Sequence, residues 1–525
     1  MPKGFFSLVL HAHLPYVHHP EYEEFLEERW LFEAITETYL PLLMVFEKLD
    51  KDNIPFKLTM SITPPLMEML SNKSLQEKYV RHMEKLIELA TKEVTRTKNE
   101  SPQLYKLAKY YKNKFDKILK VYCEDYDCDL LEGLKNYYFK GNLELITCSA
   151  THAFLPFYKN YPEMIDLQLK IGIETFKKHI GKKPKGIWLA ECAYFDDLDE
   201  YLSKNGLEFF FLDSHGFWYA ETPPRYGVYR PIITPSGVFA FARDPESSEQ
   251  VWSAEIGYPG DYNYREFYKD IGFEREYDYI KPYMDGSGVR VNTGIKYHRI
   301  TGKKVELDKK EYYDPDVAME TVKNHAQDFL NKKIQQVIRL SKAFDGESPI
   351  IVAPFDAELF GHWWYEGPQF IEYFFRELKK QDIISAITPL EFLEKIDRVQ
   401  MVRPAPSTWG ANGFNEVWLN GKNDWIYPHI HEATEKFLDF SKRAKKLSKL
   451  QRRALKQALR ELLLAQSSDW AFIITTGTSV DYAVTRVKIH LNRFLEIYKW
   501  LECDKIDEEK LEYYESVDDI FKDLP

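Results

Sequence analysis

Short apolar runs recur through the first part of the chain: Phe5 to Leu10, Phe56 to Ile62, Leu143 to Cys148, Gly186 to Ala190, Phe209 to Leu212, Ile350 to Phe355 and Ile383 to Ile387. Apolar at consecutive positions, they read as strands buried on both faces. Helical patterns separate several of them, which predicts a βα-repeating α/β fold with a parallel sheet or barrel. The polar residues of interest fall just after these runs, at the edge where such folds place their active-site loops.

Two stretches depart from this rhythm. From Ser74 to about Lys140 the sequence is rich in Lys, Glu and Tyr with apolar residues at helical spacing, opened by a Ser74-x-x-Glu77 capping box, and predicts a helical insertion over about 72–140. A second shift falls at Pro404-Ala405-Pro406, after which Ile430 to Phe440 and Leu447 to Leu464 read as amphipathic helices. The predicted organisation is a catalytic unit over 1–400 and a C-terminal helical unit over 401–525.

Composition narrows the function. The chain has 525 residues and a formal charge of −11, so it offers no overall positive field for nucleic acid. Its five cysteines, Cys123, Cys128, Cys148, Cys192 and Cys503, are odd in number and lack CxxC spacing, which argues against a disulfide framework and suits a reducing cytoplasm. No secretory signal is apparent after Met1, and no apolar stretch reaches the ~20 residues that span a bilayer. Aromatic residues make up 15% of the chain, and rings stack on sugar faces as readily as they fill cores.

Two of the apolar runs end in a carboxylate, Glu191 and Asp356, and an acid in that position is costly unless it is partnered or functional. A pair of such acids suggests cleavage or transfer at a glycosidic bond. Retaining enzymes hold the pair about 5 to 5.5 Å apart and inverting ones about 6.5 to 9.5 Å apart. Glu358 is a rival to Asp356, but two residues further on it is expected to project elsewhere. His11 and His13, two apart on a strand, point the same way and with His152 form either a metal-ligand set, a group of hydrogen-bond donors to substrate, or structural histidines. Asp213 and His215 follow another strand. Trp252, Tyr258-Pro259-Gly260 and Arg265 form a Gly/Pro-broken aromatic stretch that suggests a mobile cover. Trp409, Trp418, Trp425, Asp469 and Trp470 concentrate rings in the C-terminal part.

Taken together, the blocks His11-Ala12-His13-Leu14-Pro15, Thr147 to Pro156, Gly186 to Tyr194, Ala353 to Trp364, Trp418-Leu419-Asn420-Gly421 and Ser467-Ser468-Asp469-Trp470 resemble, in order and over essentially the whole chain, glycoside hydrolase family 57, close to its 1,4-α-glucan branching enzymes and its α-amylases. The resemblance implies an incomplete (β/α)7 barrel of the TIM type with a helical insertion and a C-terminal helical domain. It also implies Glu191 as nucleophile and Asp356 as general acid/base, with no metal or other cofactor. Substrate contacts are implied for His11, His13, His152, Trp188, Asp213, His215, Arg265, Trp363, Trp409, Trp418 and Asp469. In branching members a loop with a tip tyrosine covers the site, and the counterpart here, Ala220 to Arg230 with Tyr226 and Tyr229, is short, which implies side hydrolysis. The expected substrate is an α-glucan and the expected reaction a transfer that makes branches. Hydrolysis or 4-α-glucan transfer on the same site is the alternative, and a metal-dependent carbohydrate deacetylase is the reading from another class.

Overall fold

The computed structural model describes residues 2–253, 256–285 and 287–524. Every predicted apolar run forms a strand. β1 (Gly4–Ala12), β2 (Leu58–Ile62), β3 (Leu143–Ile146), β4 (Gly186–Ile187), β5 (Phe209–Leu212), β8 (Ile350–Asp356) and β9 (Ile384–Ala386) are joined by three others. These are β6 (Ile232–Ile233), β7 (Phe239–Ala242) and β10 (Gln400–Met401), two of them only a residue pair long and so beneath any pattern in the sequence.

One sheet runs β3-β2-β1-β8 with β9 beside the start of β1, and a second runs β10-β6-β7-β5-β4. All pairings are parallel except β6 with β7. The sheets touch at two seams. Thr147 and Ile187 form a parallel bridge between β3 and β4, and the Asp244 N–H, just past β7, donates to the Val352 carbonyl of β8 at 2.8 Å. Both faces of the strands are buried, and the face that carries His11 also holds Ser7, Thr59, Ser61 and Glu144 among its apolar residues.

The insertion is helical as predicted, with helices Lys73–Thr97, Pro102–Lys120 and Leu130–Phe139. The capping box is not where the pattern put it. Asn72 is the N-cap, its side chain accepting from the Leu75 N–H at 3.2 Å, and Ser74 lies inside the first turn. Starting there places Leu75 on the buried face, so packing decides between two acceptable caps. The chain is still in the second sheet at Met401, and the C-terminal helices follow: Ile426–Ser441, Lys449–Ala465, Ser468–Thr476, Val480–Cys503 and Glu508–Val517. Among the described residues no helix is long and apolar enough to cross a membrane.

Candidate active site

Glu191 leaves β4 through a strained turn. It has φ 62° and ψ 22°, Cys192 follows with φ 50°, and His152 after β3 has φ 56°. Left-handed backbone in residues other than glycine costs of order 1 kcal/mol each and persists only when the surroundings hold it. Here the holding is visible. The Trp409 N–H donates to the Glu191 carbonyl at 3.0 Å, and Tyr194 and Ser407 exchange backbone bonds in an antiparallel bridge. The segment 407–409 is thus zipped onto 191–194.

Both carboxylate oxygens of Glu191 are held. Trp409 Nε1–H donates to Oε2 at 2.8 Å and Ser468 Oγ–H to Oε1 at 2.9 Å. With Glu191 ionised, these bonds set the protons of a longer chain. Ser468 has given its hydrogen to Glu191, so it accepts from His152 Nδ1–H at 2.8 Å. Burial holds His152 neutral, its pKa well below the usual value, so its Nε2 accepts from His11 Nε2–H at 3.0 Å. His11, likewise kept neutral by burial and by His152, then accepts from Ser61 Oγ–H at 3.2 Å. Five side chains from five segments, Trp409, Ser468, His152, His11 and Ser61, thereby fix the orientation of one carboxylate.

His13 behaves in the opposite way. Burial disfavours its charged ring, but Asp469 contacts Nε2 with both oxygens, at 2.9 and 3.0 Å, and raises its pKa above the usual value. Asp469 is in turn brought down to about 2, burial being outweighed by the His13 charge and hydrogen bond. Thr63 Oγ1 accepts from His13 Nδ1 at 3.0 Å. His13, His152 and Asp469 bring donor atoms within 4.8 Å of one another, the spacing of a metal set. Their lone pairs are already engaged: Asp469 by a protonated His13 and by Ser467, and both His152 nitrogens by Ser468 and His11. The residues present fit an ion-paired network better than a coordination sphere.

Asp356 ends β8 directly beside His11 in the strand pairing. Its pKa lies well above the carboxylate range, chiefly through burial, then through the nearby Glu358 and Glu191 charges. Glu191 is also raised, mainly by burial, but the Trp409 and Ser468 bonds pull it back. The environments therefore separate two acids on one cleft, the arrangement that lets one stay protonated while the other ionises. Glu358 does not project away. The turn Ala357–Leu359 returns it to the same cleft, where it accepts from the His13 N–H at 3.2 Å and from the Tyr39 hydroxyl.

The cleft measures about 450 Å³ and is lined by Glu191, Asp356, Glu358, His11, His13, His152 and Asp469 on its floor. Its walls are aromatic. Trp252, Trp363 and Phe472 are 41%, 53% and 44% exposed, with Trp409 and Trp418 deeper. Trp363 rests on Phe267 at 4.6 Å between ring centres and Trp418 on Phe154 at 5.0 Å. Such backing keeps the exposed Trp363 ring flat for stacking, while Trp418, 1% exposed, supports the wall from behind. Arg243 joins the lining, tied to Asp213 at 3.3 Å.

Other expected contacts sit elsewhere. Trp188 is fully buried beneath the site, stacked under His11 at 4.8 Å and edge-on to Trp409 at 5.0 Å, so it supports rather than touches the cleft. Asp213 caps helix Ser214–Trp218 and holds His215 Nδ1 at 2.6 Å, and its route to the cleft runs through Arg243. Arg265 is not a cleft residue. It is buried against Glu37 at 2.9 Å with Tyr365 beneath its guanidinium at 3.7 Å.

The suggested covers also fail. Tyr226 packs on Phe344, and the Gln336 amide donates to the Tyr229 hydroxyl at 3.3 Å. Arg230 bonds the Ser348 carbonyl just before β8, so this segment descends toward the N-terminal edge of the strands, away from the cleft. Tyr258 is buried with its hydroxyl on Asp328 at 2.7 Å, leaving Trp252 as the part of its stretch that reaches the cleft, while Ala254 and Glu255 lie outside the described residues. Ser61, Thr63, Arg243 and Ser468 were not singled out from sequence. Ser468 alone had a signal, its place in the Ser467 to Trp470 block.

Comparison with known proteins gives the family of the chain. The model of glycosyl hydrolase family 57 matches residues 7–343 and 327–405, and that of the 1,4-alpha-glucan branching enzyme C-terminal region matches 429–525. The 1,4-alpha-glucan branching enzyme of Thermococcus kodakarensis is 34% identical, covering 99% of this chain and 78% of its own length. The alpha-amylase AmyC of Thermotoga maritima superposes with a TM-score of 0.93 at 59% identity, covering 99% and 98% of the two chains. The branching enzyme of Pyrococcus horikoshii gives 0.87 at 32%, covering 100% and 96%. With both regions matched in order, and a relative above 30% identity spanning almost all of it, the chain belongs to glycosyl hydrolase family 57.

Proposed function

We propose that this protein is a retaining α-glucan branching transferase in which water competes with the acceptor. The observation that carries the reading is that Glu191 and Asp356, on two different strands, line one aromatic cleft with their environments pushing their proton affinities apart. Asp356 gives its proton to the glycosidic oxygen as the bond to the leaving glucan breaks. Glu191 attacks the anomeric carbon and forms a covalent glucosyl-enzyme. The ionised Asp356 next takes the proton of an acceptor hydroxyl, whose oxygen displaces Glu191, so two inversions restore the α-configuration. A glucan 6-hydroxyl yields a branch and water yields hydrolysis.

The relatives described as branching enzymes and the C-terminal region matched by that name support the transfer. A relative described as an alpha-amylase, and tyrosines at 226 and 229 turned from the cleft, support a sizeable hydrolytic share. Excluding water depends on covers over the site, not on the two acids. We read the two sheets, with their seams at Thr147 and Asp244, as arcs of an incomplete (β/α)7 barrel, and the C-terminal helices as a domain completing the cleft. A cytoplasmic location fits a glucan stored inside the cell.

Incubation with amylose, followed by proton NMR of the linkages and a reducing-end assay, is expected to show new α-1,6 signals together with some new reducing ends. Reducing ends without α-1,6 signals would make the protein a hydrolase. The Glu191→Gln variant is expected to lose both reactions by at least roughly a thousandfold, and its retaining either would overturn the assignment.

A further inference from the structure

We infer that the cavity behind the Trp363 turn is a second saccharide site, taking a short α-1,4-glucan segment against a set of tyrosines. The inference rests on the α-glucan reading above. The cavity measures about 540 Å³ and lies between helices Leu40–Lys51, Pro102–Lys120 and Gly367–Leu378, apart from the catalytic cleft.

Its polar groups are left incomplete by the protein itself. Glu366 is 1% exposed and lines the cavity, yet its Oε2 has no hydrogen-bond partner. Oε1 accepts from the Tyr313 hydroxyl at 2.7 Å and from the Arg265 N–H at 3.1 Å. A buried carboxylate oxygen left bare is costly, and such an atom needs an explanation. Lys114, on the same cavity, sits over the Tyr365 ring at 3.7 Å and forms no hydrogen bond or ion pair among the described residues. Burial, together with the Arg265 charge, brings its amine down to about 7, so near neutrality it both donates and accepts.

The ligand class follows from the lining. Lys48 pairs with Glu372 at 2.7 Å and Glu37 with Arg265 at 2.9 Å, so the lining offers no excess of one sign to an ion. Tyr110 and Tyr373, both half-buried, supply rings with hydroxyl tips, and the buried Tyr313 and Tyr365 stand behind them. An unpaired amine beside half-buried rings, with no excess of charge of one sign, suits a neutral polyhydroxyl ligand, whose hydroxyls bond Lys114 while its C–H faces lie on Tyr110 and Tyr373.

The cavity also has a physical route to the catalytic floor. Trp363 faces the cleft while Tyr365 and Glu366, on the same turn, face the cavity. Glu37, a wall of the cavity, lies on the π-helical turn Ile35–Tyr39, and the Tyr39 hydroxyl donates to Glu358. A polymer engaged at both places is held by two sites instead of one, which raises its local concentration at the cleft.

Calorimetric titration of the full-length Glu191→Gln protein with maltohexaose tests this. Two classes of site are expected. Adding Tyr373→Ala or Gln369→Ala, both at residues lining the rim of the cavity, should weaken one class about tenfold, the loss of one good contact, and adding Trp409→Ala should weaken the other. In the otherwise unaltered enzyme, Tyr373→Ala and Gln369→Ala should leave the rate on short maltooligosaccharides unchanged. A single class of site, sensitive to Trp409→Ala and indifferent to both rim variants, overturns the second site and leaves the function standing. Absence of binding at both places overturns both readings.

Discussion

Asp356 and Glu358 share a cleft two residues apart, and the second acid adjusts the first. Ionised Glu358 makes it harder to remove the proton from Asp356 and so keeps the acid form to higher pH. Glu358→Gln retains an acceptor for the His13 N–H and the Tyr39 hydroxyl but removes the charge. The Asp356 pKa should then fall, and the alkaline limb of the kcat/KM profile should move to lower pH, with the peak rate altered less than the limb. An unmoved limb would show that Glu358 only positions His13. Glu191 and Asp356 were legible because a carboxylate at the end of an apolar strand has few structural excuses. Glu358 was not, because a single turn, Ala357–Leu359, reverses the direction that strand spacing implies. Ser468 was hidden for a different reason: a serine carries no cost in sequence, and its value appears only when a helix brings it to Glu191.

The turn carrying Glu358, and the Trp363 segment after it, lie against the π-helical turn Ile35–Tyr39. Gly361 has φ 128°, and a Cβ there would meet the Glu37 carbonyl oxygen at 1.8 Å, so only glycine allows the close approach. Glu37 itself is anchored by Arg265 at 2.9 Å and His362 at 2.8 Å, whose charges outweigh burial and hold its carboxyl far below the usual range. Glu37→Gln would leave the Arg265 guanidinium buried without its counter-ion, and denaturant unfolding should show a loss of about 3 kcal/mol. A loss under about 1 kcal/mol would mean that the pair is solvated and contributes as a surface bridge does. The expectation of Arg265 as a glucan contact came from the resemblance alone, and only tertiary packing shows which face of the chain it serves. The strands, by contrast, were legible as elements, since burial on both faces writes itself into consecutive apolar positions. The covers were not, because Gly, Pro and Tyr mark a loop without saying to which edge of the sheet it runs.

At the scale of the molecule, the site exists only where the C-terminal helices meet the strands. Helix Ser468–Thr476 supplies Ser468 to Glu191 and Asp469 to His13, while the Ser468 N–H donates to the His152 carbonyl at 3.0 Å. The His13–Asp469 pair is therefore both a site element and a tie between layers, and its contribution to stability depends on pH. His13 has a raised pKa, so its share is complete below about 6.5, the unfolded value, and fades as pH rises through the folded one. Asp469 is depressed to about 2, so its share is complete above the unfolded value near 4 and is lost as pH falls toward 2. Between those limits the pair acts as a charged hydrogen bond worth about 2 kcal/mol. Asp469→Asn should accordingly lower the melting temperature most between about pH 4 and 6.5, and progressively less as pH rises through the raised folded-state pKa of His13, where the pair loses its charge. Thermal melts of the two proteins across that range measure the gap. A gap that is constant with pH would mean that Asp469 holds His13 by shape alone, and that the two layers are joined without help from charge.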